Sequence, residues 1–162
     1  MAKDTSGLDE IDRRILRELM ADGALTNVAL AQRVGLSAPP CLRRVRALED
    51  AGVIQGYTAL VDERALGFGL TAFALVGLHS QAEPDLNAFE NRVLGWPIVR
   101  EAYMLSGESD YVLKCVAPDL ATFQDFVLKE LTAAPNVASV KTNLAIRRAK
   151  LAPGVPLSVP DE

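Results

Sequence analysis

The sequence has 162 residues, of which 49% are hydrophobic and 23% are charged, and its formal net charge is −4. This composition is typical of a folded globular protein and excludes an intrinsically disordered chain. The absence of any run of about 18 apolar residues excludes a membrane-spanning helix. The charged first residues also exclude a secretory signal peptide. We therefore expect a cytoplasmic protein.

Cysteine and histidine are too sparse to suggest a metal site. The sequence holds two cysteines, Cys41 and Cys115, and one histidine, His79. A zinc site needs about four such ligands, and a disulfide is disfavoured in a reducing compartment. We expect both cysteines to pack in the interior, His79 to lie at the solvent edge of a strand, and the protein to need no metal or cofactor.

Three helices are predicted in the N-terminal part of the chain. Helical periodicity, capping residues and glycines place them from Leu8 to Gly23, from Thr26 to Gly35 and from Ser37 to Gly52. Pro39 and Pro40 fall in the first turn of the third helix, where a missing N–H group costs nothing. The apolar side chains of this helix that are expected to face the core are Cys41, Leu42, Val45 and Leu48. Two short strands at residues 53–54 and 57–61 would complete a small wing.

The second and third helices have the spacing of a helix-turn-helix. Ala31 is small enough for two helices to cross closely, and Gly35, four residues later, permits the tight turn between them. The segment 33–46 contains four arginines and no acidic residue. The sequence therefore predicts a basic surface on a net acidic protein.

The outward surface of the third helix is the candidate DNA interface. A helix fits the major groove of DNA, and affinity depends on the local field rather than on the net charge. We expect Arg43 to pair with a guanine, and Arg44 and Arg46 to hold phosphates. Ser37 would bind a phosphate at the helix start. The predicted interface comprises Ser37, Pro39, Pro40, Arg43, Arg44 and Arg46. A solvated basic surface without a ligand is the plainer alternative.

The C-terminal part of the chain has a β-α-β-β-α-β pattern. The predicted strands are residues 71–78, 98–105, 111–116 and 137–148, and the two helices begin near Pro84 and Pro118. Their inward side chains are expected to be Leu86, Phe89, Val93 and Leu94, then Leu120, Phe123, Phe126, Val127 and Leu131. Two such halves with right-handed crossovers predict a ferredoxin-like antiparallel sheet with both helices on one face.

These elements predict an α+β protein with two domains. The predicted limits are a winged helix-turn-helix of three helices at residues 1–61, a linker at 62–70, a ferredoxin-like βαββαβ domain at 71–150 and a flexible tail at 151–162.

The first strand of the sheet is apolar on both faces. Residues 72–78 read AFALVGL, whereas a strand with one solvated face should alternate apolar and polar side chains. Because helices cover only one face of the sheet, the other face needs a partner, and a second copy of the chain is the simplest one. We expect a homodimer or a larger assembly.

Three runs of sequence carry a family resemblance. They are LDEIDRRIL from Leu8, LTNVALAQRVGLSAPPCLRRVRALEDAGVIQGYTALVD from Leu25, and SGESDYVLKC from Ser106. The chain resembles the leucine-responsive and asparagine-responsive (Lrp/AsnC) family of transcriptional regulators from Leu8 to about Lys150. The resemblance implies double-stranded DNA as a partner. It also implies dimers formed through the C-terminal domains, further assembly into tetramers or octamers, and amino-acid effectors bound between dimers.

The resemblance also implies an effector site. The family's glycine-x-x-aspartate turn matches Gly107 to Asp110, where the glycine would give the effector access to the backbone. The aspartate would organise the pocket or meet the ligand's ammonium. By resemblance the site comprises Met104, Ser106, Gly107, Asp110, Leu120, Asn143 and Leu144. Two of its apolar members, Met104 and Leu144, would suit an effector with an apolar side chain. Considered without the family, Gly-x-x-Asp is an ordinary hairpin turn.

Two other functions are weighed against this one. Siroheme decarboxylases resemble the family in architecture, so the fold does not exclude an enzyme. The single histidine and the absence of a paired nucleophile and base disfavour catalysis. A sensor that has lost DNA binding is disfavoured by the basic third helix.

Overall fold

A computed structural model describes residues 7–157, which form two compact units. The first unit combines the described residues up to Leu60 with those from Lys150 onward, and the second runs from Val61 to Ala149. Within residues 7–157 no helix is long and apolar enough to cross a membrane. The domain limits at 1–61, 62–70, 71–150 and 151–162 stay a prediction, and their outermost residues, 1–6 and 158–162, lie outside the described range.

The first unit packs three helices together. They are α1 (Glu10–Ala21), α2 (Asn27–Val34) and α3 (Ala38–Asp50). The predicted limits of α2 are confirmed, because Thr26 Oγ1 accepts a hydrogen bond from the Ala29 N–H at 3.2 Å and Gly35 ends the helix with φ 74°. Helix α1 begins with a reciprocal cap. Asp9 Oδ1 accepts from the Asp12 N–H at 2.8 Å, and Asp12 Oδ2 accepts from the Asp9 N–H at 3.3 Å.

The core of the first unit lies between these helices. Its buried side chains are Ile15, Leu30, Ala31, Val34, Cys41, Val45 and Leu48. The prediction for α3 is confirmed at Cys41, Val45 and Leu48 but was wrong for Leu42, whose side chain is 37% exposed. The three buried residues follow one stripe of the helix, whereas Leu42 lies about 100° further round from Cys41.

The two predicted wing strands do not form, since residues 53–61 contain no strand. The N–H groups of Val53 and Ile54 donate instead to the Leu48 carbonyl, at 2.9 and 3.1 Å, and close the last turn of α3. Gly52 permits this closure with φ 70°. The prediction was wrong because a local helix cap competes with a two-stranded hairpin, which is only marginally stable by itself.

The second unit is the predicted four-stranded antiparallel sheet with two helices. Its elements are β1 (Leu70–Leu78), α4 (Glu83–Leu94), β2 (Val99–Met104), β3 (Tyr111–Ala117), α5 (Leu120–Phe126) and β4 (Val137–Leu144). The strand order is β2-β3-β1-β4, and every neighbouring pair is antiparallel. Helix α5 continues into a π-helical turn, Val127–Leu131. The α+β class is therefore confirmed.

One face of the sheet packs against the helices and forms the second core. Its buried side chains include Ala72, Ala74, Val76, Phe89, Trp96, Leu113, Cys115, Phe123 and Leu131. Both cysteines of the chain are free and buried, as expected. Burial raises the pKa of the Cys115 thiol to about 12, so this cysteine is a packing residue rather than a nucleophile. His79 is exposed at the end of β1, also as expected.

Two helical side chains that were expected inside are exposed. Leu94 is 85% exposed because Phe89 and Val93 follow the buried stripe of α4 and Leu94 lies one residue beyond it. Leu120 is 45% exposed. It is the first residue of α5, so its side chain has no preceding helical turn to cover.

The last strand is shorter than predicted. Strand β4 ends at Leu144 rather than at Arg148, and because β1 begins at Leu70, which continues the register to residue 146, residues 147 and 148 have no strand opposite them. The last hydrogen bond at this end joins the Ala145 N–H to the Thr71 carbonyl at 2.9 Å.

Candidate DNA interface and effector site

The outward surface of α3 carries two arginines that nothing else in the described chain neutralises. Arg43 and Arg46 are exposed, and neither side chain forms a hydrogen bond or ion pair with any residue in the range 7–157. Pro39, in the first turn, is also exposed. The opposite surface of α3 is buried in the core, so this surface is the one that can meet a ligand.

The other two arginines of the segment are already paired. Arg44 contacts Asp9 Oδ2 at 2.7 Å and Asp12 Oδ1 at 2.8 Å, which ties α3 to the start of α1. Hydrogen bonds to Asp12 and then Asp9 raise the pKa of the Arg44 guanidinium. Arg33 contacts Glu18 at 3.0 Å. Only half of the predicted basic surface is therefore free of counter-charge.

The start of α3 offers fewer phosphate ligands than a typical helix start. Ser37 occupies the N-cap position with φ −80° and ψ 158°, and its hydroxyl makes no capping hydrogen bond. Pro39 and Pro40 have no N–H group, and the Cys41 N–H donates to the Ser37 carbonyl at 3.3 Å. The Ser37 hydroxyl and the Ala38 N–H are the donors that remain.

The glycine-x-x-aspartate turn lies open between β2 and β3. Ser106 and Gly107 are exposed, and a Cβ placed on Gly107 would meet no atom within 4 Å. Asp110, by contrast, is held in place. Its Oδ2 accepts from the Leu78 N–H at 2.6 Å, and its Oδ1 accepts from Gln81 Nε2 at 2.6 Å.

The base of this turn is firmly packed. The Asp110 N–H donates to the Val76 carbonyl at 2.9 Å, and the Leu105 N–H donates to the Asp110 carbonyl at 2.8 Å. The next residue, Tyr111, is 2% exposed and donates from its hydroxyl to Glu90 Oε1 at 2.8 Å. Burial, aided by Glu90, raises the pKa of Tyr111 to about 12, so the phenol remains a donor.

The predicted effector residues fall into two groups at opposite ends of the sheet. Met104 pairs with Tyr111, which pairs with Val76, so the turn that follows Met104 lies at the C-terminal end of β1. Leu144 pairs with Ala72, near the N-terminal end of β1. Val76 and Ala72 are four residues apart along the strand, which is about 13 Å.

The second group consists of Leu120, Asn143 and Leu144. Asn143 and Leu144 are exposed at the end of β4, and Leu120 follows the end of β3 that pairs with Leu70. Within one chain, therefore, Leu120, Asn143 and Leu144 do not join the turn at residues 104–110. Two cavities of about 250 and 380 Å³ contain none of the predicted effector residues.

The face of the sheet that no helix covers is partly apolar. Phe73 on β1 is 38% exposed and Tyr103 on β2 is 58% exposed. Beside them the Lys114 ammonium contacts Glu101 Oε1 at 2.5 Å, and this hydrogen bond lowers the pKa of Glu101. A surface of large apolar side chains with an internally paired charge is suited to a protein partner.

Three residues that contact these sites, Asp9, Asp12 and Gln81, were missed from the sequence. Asp9 and Asp12 stand three residues apart at a helix start, which is the spacing of a capping box and could have been recognised. Gln81 lies 29 residues before its partner Asp110, and no local pattern connects them.

Two family models match the chain. The model described as winged helix-turn-helix DNA-binding matches residues 8–55, and the model described as Lrp/AsnC ligand binding domain matches residues 71–155. The first match contains α1, α2 and α3, and the second contains the sheet except for Leu70, the first residue of β1.

Two bacterial transcriptional regulators are similar to this chain over most of its length. A leucine-responsive regulatory protein of Rhizobium meliloti is 62% identical over 143 residues, which cover 88% of this chain and 92% of that protein. The Bkd operon transcriptional regulator of Pseudomonas aeruginosa is 43% identical over 150 residues, 93% of this chain and 98% of that protein.

Solved structures agree. A transcriptional regulator from Neisseria meningitidis, crystallised in complex with L-Met, superposes with a TM-score of 0.88 at 37% identity and covers 93% of this chain and 97% of its own. An AsnC family regulator from Agrobacterium tumefaciens gives 0.87 at 35% identity, with the same coverage. With both domains matched in order, the chain belongs to the Lrp/AsnC family of DNA-binding transcriptional regulators.

Proposed function

We propose that this regulator reads DNA with the outward surface of α3, as a homodimer or larger assembly, and that an apolar amino acid bound between dimers modulates it. The observation that carries the proposal is the pair of exposed arginines on α3, Arg43 and Arg46, which have no counter-charge in the described chain. An exposed unpaired guanidinium can bind a base or a phosphate without first breaking an ion pair.

The residues of α3 are assigned different roles. Arg43 is proposed to pair with a guanine edge in the major groove and Arg46 to hold a phosphate. Ser37 would add a hydroxyl contact to phosphate, and Pro39 and Pro40 would line the helix start against the groove. Arg44 is assigned chiefly to positioning α3, because its charge is already shared with two carboxylates.

The assembly is proposed to form through the uncovered face of the sheet. A two-fold dimer would present two copies of α3 to half-sites that are one DNA turn, or a multiple of it, apart. Further association of dimers would give tetramers or octamers able to bind several such sites.

The effector site is proposed to be completed by two subunits. The turn at residues 104–110 and the group of Leu120, Asn143 and Leu144 lie about 13 Å apart along β1 in one chain, so one ligand can contact both only across an interface. An apolar amino acid fits best, because Met104 and Leu144 are exposed apolar side chains. Two relatives, the leucine-responsive regulator and the L-Met complex, point to the same ligand class. The effector can change DNA binding only by as much as it binds one assembly more tightly than another.

We propose no catalysis, no metal and no cofactor for this chain, and the cytoplasm as its location. The relatives are named as transcriptional regulators. Release of carbon dioxide from added siroheme would establish the enzyme alternative instead.

The test is a gel shift on DNA from upstream of the protein's own gene and its neighbours, with and without each of the twenty amino acids. A retarded complex that leucine or methionine alters supports the whole proposal. A complex that no amino acid alters contradicts the effector assignment alone. No complex on any fragment, even at low salt, contradicts the proposed DNA interface.

A further inference from the structure

The carboxylate of Asp110 is held by two hydrogen bonds of different kinds. Oδ2 accepts from the backbone N–H of Leu78 at 2.6 Å, within the region where β1 ends. Oδ1 accepts at 2.6 Å from the side-chain amide of Gln81, an exposed residue of the loop before α4. The first donor is part of the backbone, whereas the second sits on a rotatable side chain and can leave.

The loop that carries Gln81 does not depend on this hydrogen bond. Asn136 brackets the preceding residue, because its Oδ1 accepts from the Ser80 N–H and its Nδ2 donates to the Ser80 carbonyl, both at 2.8 Å. The Ser80 hydroxyl also donates to Asp85 Oδ2. The Gln81 side chain can therefore swing away from Asp110 while the loop backbone stays where it is.

An ammonium group is a better hydrogen-bond partner for Asp110 Oδ1 than the Gln81 amide is. An ammonium adds full charge–charge attraction to its hydrogen bond with the carboxylate, whereas a neutral amide supplies the hydrogen bond alone. The two donors to the Asp110 carboxylate, the Leu78 N–H and the Gln81 amide, are both neutral. Among the described residues no cationic side chain contacts Asp110. Gly107 lies three residues away in the same turn, and the space beside its Cα is open to 4 Å, so a ligand can approach the backbone there.

We propose that Gln81 occupies, in the effector-free protein, the place at Asp110 Oδ1 that the effector's α-ammonium takes on binding, and that Gln81 thereby sets effector affinity. This rests on the proposed effector site. Binding then replaces a neutral donor by a charged one, while the Leu78 N–H keeps the carboxylate oriented. Gln81 therefore acts on affinity, because it competes with the ligand for Asp110 Oδ1.

The test uses two substitutions with opposite expected signs. Gln81→Ala removes the competing donor, so the Kd for L-leucine or L-methionine, measured by calorimetry on the full-length protein, falls about fivefold, the equivalent of one net hydrogen bond. Gln81→Lys places a permanent cation beside Asp110 and raises the same Kd. A residue that merely supported the fold would weaken binding in both variants, and that outcome would overturn the proposal.

Two controls test whether the change in Kd depends on position 81 and on the ligand's ammonium group. Gln124→Ala, at an exposed glutamine of α5 whose side chain has no hydrogen bond to the described residues, leaves the Kd unchanged. The 2-oxo acid that corresponds to leucine lacks the ammonium, so its binding does not tighten in Gln81→Ala. Equal tightening for the oxo acid would contradict the exchange at Oδ1.

Failure of this inference is distinct from failure of the proposed function. If wild type binds an apolar amino acid and Gln81→Ala binds it with the same Kd, the effector site stands and the role of Gln81 is wrong. If neither amino acid binds wild type or either variant, the proposed effector class is wrong and the role of Gln81 is wrong with it.

Discussion

At the scale of single residues, the four arginines in the segment 33–46 differ in whether a carboxylate pairs with them. Arg33 and Arg44 are paired with carboxylates of α1 and its cap, and their charge is partly cancelled before any DNA arrives. Arg43 and Arg46 project from α3 without such partners among the described residues. Neighbouring residues of one type therefore have different capacities for binding, because their positions around the helix differ.

Replacing the two free arginines should separate base recognition from phosphate binding. Arg43→Ala is expected to cost about 1–3 kcal/mol on the preferred site and to relax preference at one base position. Arg46→Ala is expected to weaken all sequences alike and to reduce the salt slope by about one. Fluorescence anisotropy over a range of salt concentrations measures both effects. Arg92→Ala, at an exposed arginine of α4, is the control, and wild-type binding by both α3 variants would show that the assigned surface is wrong.

At the scale of elements, the DNA-binding unit depends on how its short helices begin. Helix α2 has eight residues, and an isolated helix of that length is unstable in water. Its start is held by the Thr26 hydroxyl and its end by the left-handed conformation of Gly35. The Gly35 cap lies in the turn between α2 and α3, so it affects how α3, which carries the proposed DNA interface, is oriented against α2.

Removal of the α2 cap should destabilise the first unit. Thr26→Ala is expected to lower the free energy of unfolding by about 1 kcal/mol, because the Ala29 N–H loses its acceptor. Urea unfolding followed by circular dichroism measures the change. Thr26→Ser keeps a hydroxyl and should retain most of the stability; equal losses in the two variants would argue against the cap as the cause.

The cap of α1 should make the stability of the first unit depend on pH. The hydrogen bond from the Asp12 N–H, helped by Arg44, lowers the pKa of Asp9 below its ordinary 3.8. Because the folded-state pKa is the lower one, the stabilisation is present above about pH 4 and is lost as pH falls through the folded value.

Asp9→Asn tests this pH dependence. The difference in urea midpoint between wild type and Asp9→Asn should shrink as pH falls from about 7 to about 3. Asp50→Asn, at an exposed aspartate whose side chain has no hydrogen bond to the described residues, is the matched control. A difference that is constant over this range would exclude the charge of Asp9 as the source of the stabilisation.

At the scale of the whole molecule, the sheet has one face that helices cover and one that they do not. The uncovered face presents Phe73 and Tyr103 together with the ion pair of Lys114 and Glu101. A second copy covering this face would form the proposed dimer, whereas the proposed effector site lies between dimers and needs their further association.

Placing a charge on the uncovered face should dissociate the proposed assembly. Phe73→Glu is expected to convert the protein to a monomer at micromolar concentration, because a second carboxylate opposite Lys114, which already pairs with Glu101, would be buried in the proposed interface. Light scattering coupled to gel filtration gives the mass directly. Leu128→Glu, at a side chain that is 69% exposed in the π-helical turn, should stay dimeric or larger. A dimeric Phe73→Glu protein would show that the interface lies elsewhere.

Local features of this chain could be predicted from the sequence, because they depend on neighbours a few residues apart. Helical periodicity located α1 to α3, Thr26 and Gly35 marked the limits of α2, and the strand pattern predicted the β-α-β-β-α-β order. The prediction of the wing was also wrong for a local reason. The backbone N–H groups after Gly52 close the last turn of α3 instead of forming a two-stranded hairpin.

What only the tertiary structure decided is which groups meet across elements. The pairing of Arg44 with Asp9 joins α3 to the start of α1, and that of Asp110 with Gln81 joins two separate loops. The separation of Met104 from Leu144 follows from strand register. Sequence alone determined the helices, the order of the four sheet strands and the family, because propensity and pattern act along the chain. Tertiary packing decided which charged side chains form ion pairs, because electrostatic pairing depends on distance in space.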